Sequence, residues 1–227
     1  MRCRAGPTLA LLLQNRPVVL FSAAMRKGEA TRQQIVDTAL QRASELGLEG
    51  VTLGRLAEEL QISKSGLFAH FKSKEALQIA VLDEAIERFT ERVVRPILVK
   101  PRGAPRVREL FERWIAWFQG DCEKEEEILG CPFLSLSSEY DDRPGAVRDA
   151  LVRCQKDWIA AIAKAAALAI REGHFRADLD PEQFAFEFKG IGMALQHSAK
   201  LVADPSAERR ARGAFARLFA DATAPLQ

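Results

Sequence analysis

The chain is poor in the residues that usually carry catalysis or metal binding. It has one tyrosine, three histidines and four cysteines in 227 residues. Cys3, Cys122, Cys131 and Cys154 form no CxxC pair, and His70, His174 and His197 lie far apart, so zinc-ligand spacing is absent. These thiols read as reduced and structural, in a cytoplasmic protein, with Cys122 and Cys131 as a candidate redox pair. No apolar run approaches the roughly 20 residues that span a bilayer, so no membrane partner is expected. No nucleophile–base pair, metal cluster or phosphate-binding glycine loop is visible, which argues against an enzyme and implies no cofactor. Net charge is also scarce, at +2. That excludes a uniformly basic nucleic-acid coat, and any such contact must come from local charge segregation. Alternating strand patterns are missing too.

What is present is helical. The expected fold class is all-α: a three-helix N-terminal unit, joined by a long helix to a C-terminal helical bundle. Residues 1–24 (MRCRAGPTLALLLQNRPVVLFSAA) begin basic and contain an apolar patch, but Gln14, Asn15, Arg16 and Pro17 interrupt it. A secretion signal needs a continuous run of about 7–15 apolar residues. The segment therefore reads as a disordered leader or, with Met25 as a natural start, an over-called one.

From there, Thr31 to Gln34 fits a capping box opening a helix to Leu46, closed by Gly47. Thr52 caps a second helix to about 60, and Ser63 a third ending near Phe71. Ser73 caps a fourth, expected to run to Arg95 before Pro96. Residues 96–105 read as a linker. Later helices are expected near 105–121, 133–139, 144–172, 180–202 and 205–221, with Tyr140 to Asp142 in a loop. The domain boundaries implied are 25–75 and 76–227.

The stretch SKSGLFAHFKSKEAL, Ser63 to Leu77, holds three lysines and no acid before Glu75. Two short helices joined by a break of about three residues describe a helix-turn-helix, whose second helix meets base edges with its first turn. Leu67 and Phe71 share one face and are expected to anchor the helix, while Phe68 is offset. The bland alternative is a small helical subdomain whose lysines merely solvate it.

The whole segment from Thr31 to Leu77 resembles the DNA-binding domain of the tetracycline-repressor (TetR/AcrR) family of transcriptional regulators. The parts that carry the resemblance are the T-R-x-x-I start, the Gly-Leu-Glu-Gly-Val-Thr turn, the L-A-E-E-L helix and the Ser-Lys-x-x-Leu-aromatic-x-His-Phe-x-Ser-Lys-Glu-x-Leu run. By position, the resemblance implies that Lys64, Ser65, Gly66 and Ala69 face bases. It places Thr52, Arg55, Phe68, His70 and Lys74 along phosphates, with Arg32 adding a backbone contact. The chain departs from the family where Phe68 replaces the usual tyrosine, and where Ser65 and Gly66 replace the more frequent glycine and Thr, Ala or Ser.

For the C-terminal region the resemblance implies a helical ligand-binding and dimerisation domain. Trp158 to Ile170 is apolar all round, so it must be buried on more than one side. In 180–202, Phe184, Phe188, Ile191 and Leu195 form one stripe, and Phe186, Gly190, Met193 and His197 another. One suits the core; the other suits a partner or a cavity. The expected dimer uses helices near 144–172 and 180–202. Trp114, Trp117, Phe118, Phe133, Trp158, Met193 and His197 are the pocket candidates, although aromatic stripes at helical spacing more often make core. The function implied is a dimeric repressor that binds a near-palindromic double-stranded operator and is released by a small-molecule inducer. The alternative is an inducer-independent, nucleoid- or division-associated DNA-binding protein.

Overall fold

The computed structural model describes residues 27–120 and 130–223. The leader and Cys122 lie outside them. The described residues are helical, with no strand among them. In chain order the helices are α1 (Lys27–Leu46), α2 (Leu53–Glu59), α3 (Lys64–His70), α4 (Lys74–Phe89), α5 (Ala104–Gln119), α6 (Pro132–Tyr140), α7 (Ala146–Arg171), α8 (Pro181–Gln196) and α9 (Ala207–Thr223). None of them is long and apolar enough to cross a membrane.

The chain divides into two compact units. The first comprises residues 27–88 and 135–153, the second residues 89–120, 130–134 and 154–223. In the first, Ile35, Val36, Ala39, Leu48, Leu56, Leu67, Phe71 and Leu77 are buried together. Gly47 ends α1 at φ +74°, a conformation glycine adopts freely, and its N–H returns to the Ala43 carbonyl at 3.0 Å. α1 begins at Lys27, so Thr31 lies inside the helix and does not cap it.

The second unit is aromatic. Phe111 stacks on Phe215 at 3.9 Å, and Trp114 stacks on Phe188 at 5.4 Å, bringing α5, α8 and α9 together. Asp180 caps α8 by accepting from the Glu182 and Gln183 amides, and Pro181 takes the first helical position, where its missing N–H is not needed.

Two helices end differently from the sequence expectation. Past Phe89 the chain widens into a π turn, Thr90–Val94, in which the Arg95 N–H reaches the Thr90 carbonyl, and then tightens into a 3-10 helix, Arg95–Val99. Pro96 thus opens a helix and does not stop one. It has no N–H to offer, and its ring would crowd the carbonyl four residues back; the wide turn absorbs both problems. After Gln196, α8 likewise widens into a π turn, His197–Leu201.

Candidate nucleic-acid interface

The interface is built from α2 and α3. Thr52 has extended backbone and its hydroxyl accepts from the Arg55 amide at 3.4 Å; Ser63 caps α3 by accepting from the Gly66 amide at 3.0 Å. Between the helices, the Ile62 N–H bonds to the Ala57 carbonyl at 3.0 Å while Gln61 adopts φ +54°. That left-handed residue makes the turn short.

Leu67 and Phe71 are buried, which fixes the rotation of α3 about its axis. Lys64, Ser65, Phe68 and Ala69 consequently point outward as one contiguous face, with Gly66 and His70 half-exposed at its edges. Phe68 is 48% exposed, a large apolar ring held in solvent beside a lysine and a serine. Thr52 and Arg55 are exposed on α2. Arg32, also exposed, lays its guanidinium over the Phe71 ring at 4.8 Å, so a backbone contact from it starts from a stacked position.

Several acids of this unit are held by other partners. Arg42 grips Glu59 through Nε and Nη2 (2.7 Å for the latter) and Glu45 at 2.8 Å, tying α1 to α2. Arg88 pairs with Asp37 and, at 2.8 Å, with Glu84.

Lys74 is not a free phosphate clamp. Its ammonium donates to the Glu49 carbonyl at 2.6 Å and to the Glu49 carboxylate at 2.8 Å. Glu49 also accepts from Tyr140 Oη at 2.7 Å and Gln78 Nε2 at 3.0 Å. Lys74 and Tyr140 together hold the Glu49 carboxyl down at about 2, although partial burial opposes them. Burial and the Glu49 hydrogen bond push the Tyr140 phenol upward. One residue earlier, the Glu139 carboxylate accepts from the backbone amides of Leu48 (3.0 Å) and Glu49 (2.7 Å). The turn leading to α2 is therefore pinned by α6, some ninety residues downstream. Sequence reasoning placed Tyr140 in a loop and gave none of Glu49, Gln78, Glu139 and Tyr140 a role. A hint was available: Tyr140 is the only tyrosine in the chain.

The pocket candidates separate. Trp114, Phe118, Phe133 and Trp158 are buried in the second unit, and Trp117 is half-buried there with its indole nitrogen enclosed. Phe89 meets Trp117, Phe133 and Trp158 edge-on at 5.3, 5.6 and 4.9 Å. Met193, 54% exposed, and His197 do not join this interior. They lie on the outward stripe of α8 and its π turn with Phe186 (73%) and Leu201 (76%), because Phe184, Phe188 and Leu195 occupy the inward one. Sequence reasoning missed Lys189, which is half-buried and whose Nζ donates to Gln155 Oε1 at 2.7 Å. The signal was its register, four after Ala185 and three before Gly192, both buried. Cys131 is buried, and burial pushes its thiol up to about 11.

A capped helix pair with a four-residue break and an outward lysine-bearing face defines a helix-turn-helix protein. Residues 35–81 match the family described as bacterial regulatory proteins, tetR family, and residues 103–215 match the tetracyclin repressor-like C-terminal domain. The chain belongs to the TetR family and is a transcription regulator of that family. It is 26% identical over 138 residues to the HTH-type transcriptional repressor NemR of Escherichia coli (strain K12), across 60% of this chain and 66% of that protein, just under two thirds of its length. Over 52 residues it is 40% identical to the tetracycline repressor protein class C of Escherichia coli, across 23% of this chain and 24% of that one. A TetR-family regulator from Cytophaga hutchinsonii superposes with a TM-score of 0.76 at 19% identity, covering 88% of this chain and 98% of that one. AibR, solved with isovaleryl coenzyme A and operator DNA, gives 0.63 at 22% identity, covering 83% and 97%. At these identities the superpositions speak to the fold.

Proposed function

We propose that the protein is a homodimeric repressor that binds a near-palindromic operator through α3 and releases it when a small molecule binds the second unit. The observation that carries this reading is the outward face of Lys64, Ser65, Phe68 and Ala69, fixed by the buried Leu67 and Phe71. Lys64 and Ser65 stand in the first turn of the helix, where base edges are read. Phe68 lacks the hydroxyl that would bond a phosphate, so it contributes apolar contact with the sugar-phosphate chain. Lys74 acts through Glu49 to hold the turn before α2, not as an independent clamp. The aromatic second unit and the outward apolar stripe of α8 support the effector and dimer parts of the reading. NemR is described as a repressor, and AibR was solved with an acyl-coenzyme A and operator DNA together.

Selection from a random duplex pool tests this. The wild-type protein is expected to enrich an inverted repeat whose half-sites lie about one helical turn, roughly 34–36 Å, apart. Lys64→Ala is expected to relax preference at one base position per half-site, by about 1–3 kcal/mol if it reads guanine. A pool with no enriched motif would defeat operator recognition. Equal losses on selected and random DNA would assign Lys64 to phosphate.

A further inference from the structure

The second unit holds a half-buried lysine with no ion pair among the described residues. Lys189 is half-buried on α8, and burial pushes its pKa down. Among the described residues, the titratable groups close enough to act on it are the thiols of Cys131 and Cys154, with no carboxylate among them. Its ammonium donates to Gln155 Oε1, a neutral acceptor, while Gln155 Nε2 is spent on the Phe133 carbonyl at 3.0 Å. The thiols do not supply the missing charge. Burial raises them to about 11 and about 12, so at neutral pH both stay protonated, which also makes them poor nucleophiles toward an electrophilic effector.

Two more donors in the same cluster are unmet. The indole N–H groups of Trp117 and Trp158 are buried without a hydrogen-bond partner. Trp158 itself is 6% exposed and stands one turn beyond Cys154 on α7, on the same face. Trp117 has the Cys131 sulfur nearby, a weak acceptor. The Phe89 ring touches both indoles edge-on and joins them in one cluster. Native interiors rarely leave a buried donor unpaired without a reason, and two of them linked to Lys189 through Gln155, Phe133 and Phe89 point to an absent acceptor.

We propose that this cluster binds the head group of an organic monocarboxylate with an aromatic body, Lys189 meeting the charge and the indole N–H groups of Trp117 and Trp158 completing the acceptor's hydrogen bonds. One cation with two neutral donors matches a single negative charge; a polyphosphate head would call for several cations. The surrounding rings of Phe133 and the indoles suit a planar apolar body. The inference rests on the effector-responsive reading above, and names the class of its effector.

The chain's three tryptophans, Trp114, Trp117 and Trp158, all belong to this aromatic interior, so intrinsic fluorescence reports on it. The full-length protein is titrated with phenylacetate and 3-phenylpropionate, and with their neutral amides. The expected result is that the acids bind at least about tenfold more tightly than the amides. That preference is lost in Lys189→Met, an apolar replacement of similar length. In Trp158→Phe, which keeps a ring and removes one N–H, the acids weaken while the amides do not. Absence of acid binding at millimolar concentration, equal affinity for acid and amide, or a preference that survives Lys189→Met would each overturn the proposal. Operator release is measured in parallel. Acid binding at Lys189 without release would sustain the site and defeat the effector-responsive reading. Release by acids and amides alike would sustain that reading and defeat the site.

Discussion

Glu49 is the side chain on which the helix-turn-helix unit turns. Three donors converge on its carboxylate, from Lys74, Gln78 and Tyr140, and Gln78 Nε2 also reaches the Leu48 carbonyl at 3.2 Å. The sign of its pH dependence follows from the lowered carboxyl. A carboxylate held below its unfolded value stabilises the fold at any pH above that value, and the contribution fades as the folded form becomes protonated. For Glu49 the window runs downward from about 4.5 to about 2. Glu49→Gln is expected to cost about 1–2 kcal/mol at neutral pH, the scale of hydrogen bonds to a charged group that is partly exposed. Urea denaturation across the acid range checks this: the gap between variant and wild type should narrow as pH falls through the window. A gap independent of pH would mean that packing, not the carboxylate charge, accounts for the loss. Glu59 offers the contrast. Arg42 also holds its carboxyl low, but as its single partner, and an ion pair of that kind near the surface adds little to stability.

At the scale of an element, α8 is shaped by Gly192. A Cβ added there would collide with the Trp114 ring, which is itself fully buried and stacked on Phe188. Neither side has room to move in a close-packed interior. Gly192→Ala is therefore expected to destabilise the second unit by roughly 1–3 kcal/mol despite its better helix propensity, with a matching fall in Tm. Unchanged or raised Tm would show that the Trp114 pocket yields. Close approach of this kind illustrates what the sequence can and cannot reveal. Thr52, Ser63, Gly47 and the Asp180-Pro181 pair were readable because capping is a local matter of one hydroxyl, one carboxylate or one permissive φ. The buried rotation of α3 was readable because Leu67 and Phe71 repeat at four. The π turns after Phe89 and Gln196 were not, because a widened turn answers a steric problem that depends on neighbours. Nor was the pairing of Glu139 and Tyr140 with Leu48 and Glu49, which joins segments ninety residues apart and makes the first unit discontinuous in sequence. Lys189 and its neutral surroundings were hidden for the same reason: burial of one charge among thiols and indoles is a tertiary fact.

On the whole molecule the outward stripe of α8 and its π turn poses the decisive question. Phe186, Met193, Leu201 and Val202 are 54–76% exposed, and Gly190 and Ala194, also exposed, let another helix approach closely between them. Apolar side chains in one contiguous stripe of this kind mark an interaction surface. If a second copy covers it, the two α3 helices are linked, and binding of the second half-site becomes intramolecular. Linkage of that type raises affinity by about 10²–10⁴ without any new contact to DNA. Phe186→Asp together with Met193→Asp places two charges in the stripe while leaving the inward face, Phe184, Phe188 and Leu195, untouched. The expected outcome is a monomer by analytical ultracentrifugation, with unchanged helical circular dichroism. Such a monomer should lose most of its affinity for the inverted repeat yet match wild type on an isolated half-site. A wild-type protein that sediments as a monomer, or a charged variant that still dimerises, would assign the stripe to another partner. The half-site control separates the two possible losses: a variant that fails on the half-site as well has lost its fold, not its partner.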